Sequence, residues 1–407
     1  MSLKKLDAYK TYLILQGAGG LFFALMTTTN LVYQVQVANL TPLQLVLVGT
    51  ALELSVFLFE VPTGIVADVY SRRLSIIIGT FLMGAGFLIG GTFARFDAIL
   101  LSQLIWGFGF TFTSGATQAW IADEMGEGKA GPVFLRGAQV RQAGSLVGIG
   151  VATMMANLLV NLPIIIGSIL YMLLALFLIL VMPETGFKPT NLENRNSWQK
   201  MAHTFQTGLQ AVRTSPTLLL IIAVGVIYSV FSEGFDRLWT PHFLNEFELP
   251  KLGSLEPVTW FGIVRGGGLI LSIIATGILN RRLDTTNHVA VARTMFVLTA
   301  LTGVGVIAFG LLTEFALGLA VLLAVWPARN LYSPLYDMWV NHHAESSVRA
   351  TVISMSSQAG AFGEIIGGPI FGVIATLTSV GSSLTIAGGV LIVGLGLYLK
   401  EMRRSEK

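Results

Sequence analysis

The chain contains no cysteine, which removes disulfides, thiolate nucleophiles and cysteine-ligated metals from consideration. Charge is also scarce, at 12% of residues against about 25% in soluble domains. A length of 407 residues would suit two or three soluble domains, but there is too little charge to coat them. Enzyme signatures are missing as well: there is no Gly-x-Ser-x-Gly and no His-Glu-x-x-His. The five histidines include one adjacent pair, His342-His343, near Asp337 and Glu345. Adjacent side chains point apart on a helix, so the group reads as a solvated helix end. Gly303-Val-Gly305-Val-Ile-Ala308 imitates a dinucleotide fingerprint, yet it follows no strand and lies inside an apolar run. An enzyme is therefore not expected, nor is a cofactor, a metal or a nucleic-acid partner.

What the chain has in quantity is apolar sequence: 53% of residues are hydrophobic and the mean hydropathy is +0.73. A spanning helix needs about 20 mainly apolar residues. Runs that meet this requirement fall at about 10–38, 43–67, 74–93, 98–122, 133–158 and 162–182. After a polar stretch at about 183–215 they resume at about 216–243, 257–280, 288–312, 315–340, 350–376 and 380–399. The pattern predicts an all-α membrane protein of twelve transmembrane helices, with six-helix bundles at 1–182 and 216–407 joined by a cytoplasmic linker at 183–215. The first run is too long for the core of a signal peptide, and no small-residue cleavage site follows it.

Lysine and arginine test the count independently, because cytoplasmic loops retain them. With both termini inside, 20 of the 25 fall on the cytoplasmic side, Arg95 and Lys251 fall outside, and Arg237, Arg265 and Arg329 lie within spans. A missed or invented helix would invert every later loop and destroy this bias.

Charges inside the spans are costly, on the order of 2.5–3.5 kcal/mol each on insertion scales. They are Glu53, Glu60, Glu233, Asp236, Arg237, Arg265, Arg329 and Glu364, so the acids outnumber the bases. Glu53 and Glu60 lie two turns apart on one helix face. A desolvated carboxyl holds its proton more tightly, as a proton carrier must. For Glu60 the favoured reading is a structural carboxyl, held protonated or pinned to the cytoplasmic network around Asp68, whereas Glu53 suits either reading. Glu233 and Arg237 have the i,i+4 order of a helical ion pair, which leaves Asp236 over. Glu53, Glu60, Asp236 and Glu364 are the proton-coupling candidates. Arg265, Arg329 and Glu364 could converge on the axial face of the second half as ligands or as locking pairs. Polar stripes on the first span (Gln16, Thr27, Asn30, Gln34) and the fourth (Gln103, Thr111, Ser114, Gln118) suit helices that face water. With the aromatic residues Tyr228, Trp239, Trp260, Trp326, Tyr332 and Tyr336, they suit an amphiphilic ligand. The substrate-cavity candidates are Asn30, Gln34, Gln103, Gln118, Tyr228, Arg237, Arg265, Arg329 and Tyr332. Glycines cluster at 144 and 148, at 266–268 and between 360 and 368. Small residues let helices approach closely, and the last cluster, which ends in Gly368-Pro369, is a candidate bending segment.

Between the second and third runs stands Gly64-Ile-Val-Ala-Asp68-Val-Tyr-Ser-Arg72-Arg73. The topology rule explains the two arginines but not Asp68. With the six-plus-six arrangement, the stretch resembles the major facilitator superfamily of secondary transporters, whose signature here is Gly64, Asp68, Arg72 and Arg73. Val69 and Ser71 depart from it, standing where a basic residue and a glycine are common. Phe59-Glu60-Val61-Pro62-Thr63-Gly64 and Ala119-Trp120-Ile121-Ala122-Asp123-Glu124 look like the tetracycline- and macrolide-type efflux branch.

The resemblance implies two six-helix bundles around a central cavity, alternating access, and efflux of a small amphiphilic molecule by proton antiport. Its implied partners are the substrate, protons and the bilayer of a bacterial inner membrane, with the chain acting as a monomer. It also implies that Asp68 with Arg72 forms a gate latch toward Arg349–Ser354. Two features depart from proton-driven drug antiporters: Gln103 precedes Gly107 where they carry arginine, and Gly144/Gly148 lacks their proline. Transport of an anionic or lipid-like substrate, and a transporter-fold receptor, remain as alternatives.

Overall fold

A computed structural model describes residues 5–189, 206, 209–210, 212–285, 287–344 and 349–405. Among them the regular structure is helical, with one isolated bridge between Leu252 and Leu255. The helices are α1 (Ala8–Thr28), α2 (Asn30–Gln36), α3 (Pro42–Val69), α4 (Arg72–Thr92), α5 (Phe96–Thr113), α6 (Ala116–Met125), α7 (Ala130–Ala156) and α8 (Leu162–Val181). They continue as α9 (Pro216–Asn245), α10 (Val258–Arg282), α11 (His288–Leu311), α12 (Phe315–His343), α13 (Arg349–Leu377) and α14 (Val380–Ser405). Local chemistry sets several starts. Ser71 caps α4 by accepting from Leu74 N at 2.9 Å, and Asn287 accepts from the first amides of α11. Ser215 caps α9, whose first residue is Pro216, where the missing N–H costs nothing.

Eleven helical stretches are long and apolar enough to span a membrane. The twelfth expected segment is α7, which has 27 residues but carries Arg136, Gln139, Arg141 and Gln142 in its first half. Two spans that read as single runs are broken. The first divides into α1 and α2 at Thr29, whose hydroxyl donates to Val160 O at 3.1 Å. The fourth divides into α5 and α6 at Ser114-Gly115, where Gly115 takes φ 70°. Outward-facing Leu158, Val393 and Leu377 are about four-fifths exposed, which suits a lipid solvent rather than water.

The chain divides into two compact units. Unit 1 comprises Met1–Leu40, Ala51–Glu193 and Lys251–Gly266; unit 2 comprises Thr41–Thr50, Asn194–Pro250 and Gly267–Lys407. In unit 1, α1 and α7 meet at glycines: a Cβ on Gly144 would overlap Gly17 O, and one on Gly148 would overlap Leu21 O. Tyr12, Ile76, Trp120, Leu174 and Leu178 pack as its buried core. In unit 2, α13 lies on α9 through Gly363, where a Cβ would stand 3.0 Å from Val226 O, and through Gly367 against Val230. The expected bending segment lies within a 29-residue helix that carries Pro369, and Gly363 and Gly367 pack it closely against α9. Phe243, Phe247, Phe309 and Phe315 form an aromatic cluster around the buried His242.

Candidate functional site

The signature loop is where α3 ends and α4 begins. Arg72 turns into unit 1, donating to Ala119 O at 2.9 Å and pairing closely with Asp123 of α6. Asp68 is more distant, 3.7 Å from Arg72 Nη2 and 60% exposed. Arg73 donates through its backbone N–H to Glu184 Oε1 at 2.9 Å and through Nη2 to Ile179 O at 2.6 Å. Glu184 also accepts from Ser71 Oγ at 2.7 Å, while Glu124 accepts from Thr185 N, Thr185 Oγ and Gly186 N. Trp120 Nε1 donates to Pro183 O at 2.8 Å. Residues 183–187 are therefore strapped across the ends of α4 and α6. Most of the expected linker beyond them, and the side chain of Arg349, lie outside the described residues.

Sequence reasoning gave Arg72 one partner, Asp68; folding supplies a stronger one in Asp123. It also missed Glu184 and Glu124 as acceptors. The Asp123-Glu124 pair following an apolar run was the available signal.

A polar cavity of about 200 Å³ opens within unit 1. Gln16, Thr80, Thr113, Thr117, Gln118 and Arg141 line its polar side, and Ser114-Gly115, the break between α5 and α6, forms part of its wall. Ser114 Oγ donates to Glu60 Oε1 at 2.8 Å, and Glu60 Oε2 is buried without a hydrogen-bond partner. Glu53 lies half-buried two turns earlier on α3. Gly64 has open space where a Cβ would stand. Gln34 and Gln103 are buried, each with an unpartnered side-chain oxygen, and Asn30 is half-buried at the start of α2. Among these stripe residues, Gln16, Ser114 and Gln118 reach the cavity. Arg265 is half-buried on the part of α10 that belongs to unit 1.

In unit 2, α9 and α12 bring charge and aromatic surface together. Arg329 grips Asp236 with two hydrogen bonds, Nη1 to Oδ1 at 2.5 Å and Nη2 to Oδ2 at 2.8 Å. Its Nη2 also donates to Ser232 Oγ at 2.7 Å, and its guanidinium stacks 4.6 Å from the Phe235 ring. Asp236, left over when Glu233 is matched with Arg237 by spacing alone, thus has its own arginine from another helix. Arg237 Nε donates to Glu233 Oε1 at 2.8 Å. Gly49 makes room for that pair, since a Cβ there would overlap both groups. Tyr228 and Tyr332 stack face to face with ring centroids 3.4 Å apart, and Tyr336 continues the stack at 5.7 Å. Glu364 is half-buried on α13. Trp239, an expected contributor of ligand-facing aromatic surface, is buried at 1% exposure. Among the described residues, no three His, Cys, Asp or Glu side chains are grouped to hold a metal.

The family model described as Major Facilitator Superfamily matches residues 12–344. The chain belongs to the major facilitator superfamily. An uncharacterized MFS-type transporter of Bacillus subtilis (strain 168), YxaM, is 23% identical over 362 residues, covering 88% of this chain and 86% of the relative. The fold is similar to that of the nucleoside transporter NupG, with a TM-score of 0.75 at 14% identity over 97% of this chain and 99% of that one. A bacterial homolog of the human lysosomal transporter Spinster gives 0.74 at 13% identity over 98% of both. At such identities the likeness is one of fold. This superfamily member is an integral membrane protein of a transporter family. None of these three matches places it in the tetracycline- and macrolide-type branch.

Proposed function

We propose that the protein is a secondary active transporter that exports a small amphiphilic organic molecule through a bacterial inner membrane, coupled to proton entry. The observation that carries proton coupling is Glu60. One of its oxygens accepts from Ser114 and the other is buried without a partner. A bound proton would neutralise the carboxyl and remove the cost of a buried, incompletely paired negative charge. Ser114 stands at the break between α5 and α6, so a change at the carboxyl reaches a helix joint directly. What supports an amphiphilic substrate is the tyrosine stack of unit 2, about two helix turns before Asp236 on α9 and one turn beyond Arg329 on α12. The gate latch at Asp68 and Arg72 and a monomeric state complete this reading. Export and antiport rest on the resemblance of the Phe59–Gly64 stretch to efflux proteins.

The test is substrate accumulation in proteoliposomes with and without an imposed pH gradient. Glu60→Gln should abolish gradient-driven accumulation while counterflow exchange, which needs no proton, persists. Coupling that survives in Glu60→Gln moves the role to Glu53, whose Gln variant is measured in parallel. Coupling that survives in both variants refutes the proposal.

A further inference from the structure

Arg141, an exposed residue of α7, has no counterion among the described residues. It stands eleven residues into α7, about 16 Å along the helix axis from its start. Among the described residues it makes no ion pair or hydrogen bond. Ionisable groups inside a membrane bundle pair with one another or face a site that uses them. The side chain of Arg141 opens onto the unit 1 cavity. Its position follows from α1: Gly20 has no Cβ, so the carbonyl of Arg141 comes against it and the two helices nearly touch. Gln16, one turn before Gly20 on α1, and Arg141 both line the cavity.

We propose that this cavity binds a small organic carboxylate, with Arg141 as its charge partner. Three features of the lining select the class. Arg141 is its one charged residue, and the other polar groups are neutral hydroxyls and amides, so a cationic ligand would meet only repulsion. A single guanidinium presents a planar fork that matches a carboxylate in two parallel hydrogen bonds, whereas a doubly charged phosphate would leave one charge unmet. The remaining wall, Leu15, Ile76, Met83, Phe110 and Tyr171, is apolar and suits an aryl or short alkyl body. The volume of about 200 Å³ lies below the roughly 300–1,000 Å³ of drug-sized sites and suits a ligand of benzoate size. Gln118, Thr117 and Gln16 supply hydrogen bonds to orient it. Next to this wall, Ser114 is tied to Glu60, so the carboxylate site and the proposed proton carrier share one residue. The inference deepens the transporter reading by giving the amphiphile a negative charge; binding itself does not depend on export or on coupling.

The experiment uses the full-length protein in detergent micelles, with benzoate, acetate and the neutral isostere benzamide as probes. Binding is followed by calorimetry and by the shift in Tm. Benzoate should bind and raise Tm, acetate should bind more weakly, and benzamide should do neither. Arg141→Gln should lose at least tenfold in benzoate affinity, Arg141→Lys less, and Arg136→Gln, a cation of the same helix outside the cavity lining, should be unchanged. Raising chloride from low to physiological concentration should weaken benzoate binding. Failure of both carboxylates to bind, equal binding of benzamide, or full affinity in Arg141→Gln overturns the proposal. The benzoate–benzamide contrast in the unmutated protein stands even if a variant does not fold. Binding that depends on Arg141, without transport of benzoate in proteoliposomes, leaves the site intact and overturns the transport reading instead.

Discussion

Replacing Asp236 by alanine tests what holds unit 2 together. The side chain of Arg329 is 8% exposed and its two hydrogen bonds to Asp236 measure 2.5 and 2.8 Å. Without Asp236, the guanidinium keeps Ser232 and its aromatic neighbours Phe231, Phe235 and Trp326, but no carboxylate. Removing one partner of a buried pair costs about 3–5 kcal/mol, because the other charge is left uncompensated. Asp236 is itself 40% exposed, so some of its charge is screened, and about 3 kcal/mol is expected. On the scale of domains of 150–250 residues this corresponds to a Tm lower by roughly 6–12 °C. The decisive measurement is the double variant Asp236→Ala with Arg329→Met. Methionine fills the stacking site without charge, so the double variant should regain most of the loss and show a coupling of about 2 kcal/mol or more. Additive losses in the cycle, or an Asp236→Ala protein as stable as the parent, would refute the pair as a structural lock. They would return Asp236 to the set of groups free to carry a proton.

Two further outcomes follow from the same geometry. Gly49→Ala should displace the Glu233–Arg237 pair, because its Cβ would occupy the space of both groups; overpacking of this kind costs about 1–3 kcal/mol, read as a lowered Tm, and an unchanged Tm contradicts the packing. At the signature loop, Asp123→Asn should lower Tm more than Asp68→Asn, since Asp123 holds Arg72 at close range while Asp68 is mostly exposed. Asp68→Asn should instead slow transport with substrate affinity nearly unchanged, and a large loss of affinity would make Asp68 a ligand.

The positions of the spans were legible because membrane insertion is a nearly one-dimensional problem. Each segment must satisfy its own backbone and be apolar over a fixed length, and both conditions can be read along the chain. The ion pair of Glu233 with Arg237 was legible for a similar reason, since four residues on one helix always meet. The break at Ser114-Gly115 left little trace, because a glycine inside a span is more often a packing residue.

From sequence alone come the class, the span positions, the concentration of lysine and arginine in alternate loops and the signature loop, all of them properties of local composition and short spacing. Only the tertiary structure decided which charge meets which. Asp236 and Arg329 are 93 residues apart, Arg72 and Asp123 are 51 apart, and Glu60 and Ser114 are 54 apart. Which partners meet across such distances depends on the rotation of each helix about its axis, and packing sets that rotation through glycines such as Gly20, Gly49 and Gly144. The same packing brings Arg141 to a cavity whose described lining holds no acid, where composition alone had counted it among the cytoplasmic bases.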